Sequence, residues 1–241
     1  MRPRILLLQA RRADDPMKGQ EFDCFVDKTG LPADRVVPHD LCEGPPAAAA
    51  LRRFDAVMVG GSGDFYVSNG DLPAFEGTLD FLREVVRRRH PMLASCFGYQ
   101  CLVQALGGEI FHDPENMEVG TYELTLTESG KADPLFGELP ETFLAQLGHK
   151  DRAIVHPVSL PNLASSPRSP FQAFRIPGQP IWATQFHPEL DRATNLQRFR
   201  NYIGGYAVHL TEEGREAQVA LFRESPEASD LLRRFLKLVF G

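Results

Sequence analysis

Pro91-Met92-Leu93-Ala94-Ser95-Cys96-Phe97-Gly98-Tyr99-Gln100 is the stretch of this chain that decides its fold. Pro91 to Ala94 is a wholly apolar run of the kind found in parallel strands buried on both faces. Gly98 to Leu106 reads as a short buried helix that stops at Gly107-Gly108. Between them, Ala94-Ser95-Cys96-Phe97-Gly98 has the form small-x-nucleophile-x-small. A strand that turns sharply into a helix needs small residues two positions either side of the turn, because the two backbones approach closely there. A thiol on such an elbow projects above the sheet and sits at the positive end of a helix, which favours the thiolate. The N–H that follows it points at an incoming oxyanion.

Outward from this elbow, strand-like and helix-like runs alternate. Arg4 to Gln9 and Asp55 to Val59 are two more buried strands, the second ending in Gly60-Gly61-Ser62-Gly63. Ala74 to Arg89 is amphipathic, with Phe75, Leu79, Leu82 and Val86 on one face and an N-cap expected at Asp71 ahead of Pro73. This order predicts an α/β fold: a mostly parallel, flavodoxin-like central sheet with helices on both faces. The middle of the chain alternates apolar and polar residues at Thr121 to Thr127, and β-like pieces follow at 142–147, 153–158, 172–176 and 181–186. They predict a small antiparallel β addition closing over one end of the sheet. Helical character returns from Arg192 to Tyr206, at Glu212 to Phe222 and at Glu227 to Val239, with Pro226 as a break. No internal repeat or long linker intervenes, so a single domain over 1–241 is expected, with a C-terminal helical extension at about 206–241.

Composition narrows the possible functions. The 241 residues are 43% hydrophobic and 24% charged, which excludes a disordered or fibrous chain. The formal charge of −6 argues against nucleic-acid binding, which needs a basic face to displace phosphate counterions. The longest basic run, Arg87-Arg88-Arg89, closes a helix, where cations suit the C-terminus. The uncharged stretch Pro91 to Gly108 contains Ser95, Tyr99, Gln100, Gln104 and three glycines, so protein interior is expected rather than a membrane span. The start of the chain has too short an apolar run for a secretory signal, and four cysteines without a C-x-x-C pair point to a reduced, cytoplasmic setting.

Two further pieces complete a chemical constellation. Gln185-Phe186-His187-Pro188-Glu189 follows the apolar strand Ile181-Trp182-Ala183, at a strand end where substrates of open α/β sheets gather. His187 can take the thiol proton and return it to a leaving amine, and Glu189 can accept from the other ring nitrogen and stabilise the imidazolium. Gly60-Gly61-Ser62-Gly63 fits no phosphate-loop pattern, but its backbone N–H groups can crowd toward one point beside the elbow. Cys24, Cys42 and Cys101 lie at no strand-to-helix turn and are expected to be small hydrophobes.

Together, Cys96-Phe97-Gly98-Tyr99-Gln100, Gly60-Gly61-Ser62 and His187-Pro188-Glu189 resemble the class I (triad) glutamine amidotransferases, over about residues 4 to 205. The resemblance is to stand-alone members similar to the glutaminase domain of GMP synthase. It implies catalysis by Cys96, His187 and Glu189, through a γ-glutamyl thioester on Cys96. It also implies an oxyanion hole from the N–H groups of Gly61 and Phe97, and glutamine held by Gly60, Gln100 and the segment at His149-Lys150-Asp151. No cofactor or metal is implied. Tyr99 stands where the family usually has His, and Ser62 where Pro is frequent, which bears on substrate preference.

The family passes ammonia to an ATP-consuming synthetase, and the stretch after Glu189 reads as helices without a nucleotide loop. The chain is therefore expected to work with a separate synthetase partner. Alternatives are a stand-alone hydrolase of γ-glutamyl peptides or conjugates, in which only the leaving amine differs, and a non-enzymatic redox-sensing module built on a low-pKa thiol. A sensor needs no general acid, so His187 and Glu189 favour hydrolysis.

Overall fold

The computed structural model describes residues 2–206 and 211–241. In chain order its first half contains β1 (Ile5–Ala10), α1 (Met17–Thr29), β2 (Val36–Asp40), β3 (Ala56–Ser62), α2 (Phe75–Arg87), β4 (Met92–Ser95) and α3 (Phe97–Ala105). The middle contributes β5 (Glu109–His112), β6 (Glu118–Leu126), α4 (Glu128–Lys131), β7 (Thr142–His149), β8 (Asp151–Val155), β9 (Asn162–Ser165), β10 (Ala173–Arg175) and β11 (Ile181–Thr184). Five helices close the chain: α5 (Arg192–Asn201), α6 (Ile203–Tyr206), α7 (Glu212–Ala220), α8 (Pro226–Ser229) and α9 (Leu231–Phe240). The expected extension from about 206 includes residues 207–210, which lie outside the described residues.

The parallel core of the sheet runs β2-β1-β3-β4-β11, each strand parallel to its neighbour. Its strands lack alternating polarity because both faces are covered. Leu6, Leu8, Val57, Val59, Met92, Ala94 and Ala183 face one core with Leu79, Leu82 and Leu102 of α2 and α3. The intervening Ile5, Leu7, Ala56, Met58, Leu93 and Trp182 face a second core with Phe25 of α1 and Phe235 of α9. Each large side chain buried this way contributes about 1.5–3 kcal/mol.

Two sequence expectations are corrected. The antiparallel strands do not close over one end: β10, β9, β6 and β7 continue the same sheet edge-on to nine strands, and only β5 and β8 form a separate antiparallel pair. Asp71 does not cap α2. Its carboxylate accepts from the Tyr66 N–H at 2.8 Å, while the helix starts at Phe75 after Ala74 in a left-handed conformation (φ 53°). The strands β2, β5 and β9 and the helix α1 have no counterpart in the sequence pattern, because β2 and β9 are short and half-polar and α1 carries a weakly segregated apolar face. No described helix is long and apolar enough to cross a membrane.

The carboxyl ends of β1, β3, β4 and β11 point the same way, since these strands are parallel neighbours. Arg11, Gly60 to Ser62, Cys96 and Gln185 to His187 therefore converge at one edge of the sheet.

Candidate active site

Cys96 is the single residue between β4 and α3, and it has φ 49° and ψ −102°, a conformation that costs an L-residue about 1–3 kcal/mol. Neighbouring hydrogen bonds hold it there. Its N–H donates to the Thr184 carbonyl at 2.8 Å, and its carbonyl accepts from the Gln100 N–H at 3.0 Å. The small residues of the elbow have a steric cause: a Cβ on Gly98 would stand 2.6 Å from Cβ of Val59 and 3.1 Å from Cβ of Ala94. Phe97 opens α3, so its N–H has no partner within the helix and lies next to the thiol.

His187 leaves the end of β11, where its N–H donates to the Gln146 carbonyl at 2.9 Å. Its Nδ1 lies 2.6 Å from Glu189 Oε1, which leaves the other ring nitrogen for the thiol of Cys96. Both side chains are buried. Burial works against the imidazolium, but the Glu189 charge and the Cys96 sulfur outweigh it and hold His187 up at about 9. Burial likewise opposes the Glu189 carboxylate, and His187 and Arg198 hold it down at about 2. The three residues thus stand together, with the imidazole between thiol and carboxylate. That arrangement can move a proton from sulfur to a leaving group.

Burial pushes Cys24 and Cys42 up to about 11 and Cys101 well above its ordinary value, which keeps them protonated. Cys42 is half-buried rather than core, with Sγ 3.4 Å from the Arg11 carbonyl.

The glycine-rich strand end departs from its expected role. The Gly61 N–H does not face the thiol: it donates to Glu21 Oε1 at 3.1 Å. Gly60 is likewise not a wall of the cavity beside Cys96, since a Cβ there would stand 2.6 Å from the Glu21 carboxylate. Both glycines are small because a buried carboxylate of α1 and the His187 ring occupy the space a side chain would need. Ser62 and Gly63 line the cavity instead.

Gln100 and His149 do reach the cavity. Gln100 Nε2 donates to the Asp151 carbonyl at 2.8 Å and to Gln185 Oε1 at 3.2 Å. His149 is pinned between that same Asp151 carbonyl, 3.0 Å from Nδ1, and Glu118 Oε2, 3.1 Å from Nε2. The cavity of about 30 Å³ is also walled by Tyr66, Lys150, Asp151 and Tyr206. Its size leaves room for about two waters. Tyr206 lines it with its hydroxyl donating to the Gly148 carbonyl at 3.0 Å, and Lys150 Nζ holds the adjacent Gly205 carbonyl.

Four participants escaped the sequence. Gln185 Nε2 lies 3.8 Å from Cys96 Sγ, and its place two residues before His187 was a usable signal. Glu21, Arg198 and Tyr206 come from α1, α5 and α6, and no local pattern marks them. Among the described residues no group of three or more His, Cys, Asp or Glu side chains could hold a metal ion.

The model of the family described as "Glutamine amidotransferase class-I" matches residues 43–201. Over 125 residues the chain is 34% identical to GMP synthase [glutamine-hydrolyzing] of Thermosipho melanesiensis, covering 52% of this chain and 23% of that protein. It is 30% identical over 123 residues to one subunit of the GMP synthase [glutamine-hydrolyzing] of Methanococcus aeolicus, covering 51% of this chain and 63% of that protein. The chain thus spans less than a quarter of the first and under two thirds of the second. A solved glutamine amidotransferase from Thermotoga maritima has the same fold, with a TM-score of 0.71 and 19% identity over 98% of this chain and 97% of that one.

Proposed function

The chain belongs to the class I glutamine amidotransferase family, and from that premise we propose that it hydrolyses the side-chain amide of glutamine to glutamate and ammonia. What carries this function is the placement of Cys96 on a strained elbow with the His187–Glu189 pair, 2.6 Å apart, at the end of the neighbouring strand.

The Cys96 thiolate attacks the carboxamide carbon, and the oxygen gains the negative charge of a tetrahedral intermediate. The Phe97 N–H stabilises that charge at the positive end of α3. Collapse breaks the C–N bond, with His187 giving its proton to the departing ammonia and Glu189 holding the ring in the required tautomer. Water then attacks the γ-glutamyl thioester, giving up a proton to His187, and glutamate leaves with the thiolate restored. Gln185, whose Nε2 lies 3.8 Å from the thiol, orients the carboxamide, and Gln100 holds Gln185 by donating to its Oε1 at 3.2 Å.

Tyr206, hydrogen-bonded to the Gly148 carbonyl on the cavity wall, is the side chain that moves aside as glutamine enters. The ammonia passes to a separate synthetase chain, in keeping with the match to a protein named as one subunit of an enzyme. A reducing, cytoplasmic setting keeps Cys96 a free thiol. The test is ammonia release from glutamine and from γ-glutamyl amides by the full chain, combined with mapping of a glutamine-like diazo-ketone. Glutaminase activity with the label on Cys96 is expected. A label on Cys101, or activity on γ-glutamyl amides alone, overturns the assignment.

A further inference from the structure

Behind the His187–Glu189 pair lies a chain of buried charges that takes no direct part in the proposed reaction. Arg198, 5% exposed, reaches from α5 so that its NH1 donates to Glu189 Oε1 at 3.2 Å and lies 3.5 Å from His187 Nδ1. Its Nε donates to Gln20 Oε1 at 2.8 Å, which fixes the guanidinium against α1. NH2 stands 3.7 Å from Oε1 of Glu21, a fully buried carboxylate. That oxygen also accepts from Arg11 NH2 at 3.0 Å and from the Gly61 N–H at 3.1 Å, and Glu21 Oε2 accepts from Gln9 Nε2 at 3.1 Å. Arg11 in turn faces Asp15 at 3.3 Å, and Tyr202 donates to the same Asp15 oxygen.

Four elements, α1, α5, β1 and β3, meet here with the loops that follow β1 and β11, and the charges they contribute can be balanced. The carboxylates of Asp15, Glu21 and Glu189 face the guanidiniums of Arg11 and Arg198. Leaving Cys96 aside, the cluster carries one uncompensated negative charge with a neutral His187 and is neutral with the imidazolium. Among the described residues, the remaining titratable neighbours are Cys24, Tyr202 and Tyr206, which burial keeps protonated, and Cys96 itself. A buried charge without a partner is expensive, so the cluster favours a proton on His187.

We propose that Arg198 and Glu21 are positioning residues, forming a buried Glu21–Arg198–Glu189 relay that ties the His187 ring to the Gly60–Gly61 strand end and sets its protonation state. The proposal rests on the glutaminase function above, in which His187 is the proton carrier. Neither residue touches the substrate. Arg198 supplies a fixed cation that limits how strongly Glu189 retains the imidazolium proton, so that the proton can still pass to ammonia. Glu21 holds Arg198 in place and, by accepting from Gly61, locks the backbone beneath the ring.

The two residues act on His187 with opposite signs, which a merely structural role would not produce. Replacing Glu21 with Gln removes a negative charge while keeping an acceptor for Gly61, and replacing Arg198 with Met removes a positive one. The His187 ring, identified by NMR as the resonance lost in His187→Ala, is titrated in the full chain alongside the basic limb of kcat. Glu21→Gln is expected to lower the ring titration by about one pH unit and Arg198→Met to raise it by about one, with the basic limb moving alongside. Arg198→Lys keeps the cation and is expected to titrate like the wild type. Both variants shifting the same way, or losing activity with no shift, overturns the relay. If Arg198→Met does not fold, Glu21→Gln decides alone, and a ring titrating at or above the wild-type value refutes it. Absence of glutamine hydrolysis by the wild type would sink the reaction instead, while the ring titration would still decide the relay.

Discussion

Gly61 lies so close beneath the imidazole of His187 that a Cβ on it would stand 2.8 Å from the ring's Cε1. The glycine is there to leave room for the ring, and its N–H serves Glu21 instead of an oxyanion. Gly61→Ala must therefore push His187 away from Cys96 and Glu189. A displacement near 1 Å lowers kcat by about 10²-fold, and the overpacking costs about 1–3 kcal/mol. Steady-state ammonia release and urea denaturation measure the two effects, and a wild-type kcat would show that the ring does not need this space.

The strain at Cys96 separates stability from activity. Cys96→Gly and Cys96→Ala both remove the thiol, but only glycine adopts φ 49° without penalty. The glycine variant is expected to be inactive and about 1 kcal/mol more stable than the alanine variant. Urea midpoints of the two proteins read this directly, and equal midpoints would mean that the elbow is unstrained.

The His187–Glu189 pair gives the fold a definite pH window. Glu189 is held at about 2 against an ordinary 4.5, so its stabilisation is complete above 4.5 and is lost as pH falls toward 2. His187 is held at about 9 against 6.5, so its contribution is complete below 6.5 and is lost as pH rises through 9. Calorimetric Tm is expected to be highest between these limits. Glu189→Gln removes the carboxylate that raises His187, which should flatten the alkaline decline and reduce kcat by about 10²-fold or more. An unchanged alkaline limb would place its origin elsewhere.

Tyr206 lines the cavity beside Cys96 and is hydrogen-bonded to the Gly148 carbonyl. Under the proposed glutaminase function, glutamine binds the fraction of molecules in which the ring has left Gly148, and the apparent affinity falls by that fraction. Tyr206→Ala is expected to lower KM for glutamine by about tenfold with little change in kcat. An unmoved KM would show that the substrate enters by another route.

Much of the site was legible because its chemistry is local. The elbow, the His187-Pro188-Glu189 run and the glycine pair each declare themselves within five residues, and the strands that carry them are short apolar runs that need burial on both faces. Gly60 and Gly61 were legible as glycines but not in their purpose. The partner that demands their smallness, Glu21, lies some forty positions upstream on a helix with little apolar segregation. Asp71 shows the same limit, since an aspartate before a helix can cap it or accept from a turn, and Tyr66 decided for the turn.

The sequence by itself determined a parallel α/β sheet, a nucleophile elbow at Cys96 and a general-base candidate at His187, because hydrophobic periodicity and steric need for small residues act between near neighbours in the chain. Only the tertiary structure decided that Glu21 takes the Gly61 N–H, that Arg198 shares the Glu189 oxygen with His187, and that Tyr206 lines the cavity beside the thiol. Those contacts join α1, α5 and α6 to strand ends far away in the chain. Electrostatics and hydrogen bonding in a buried site depend on distance in space, and that distance exists only once the sheet has assembled.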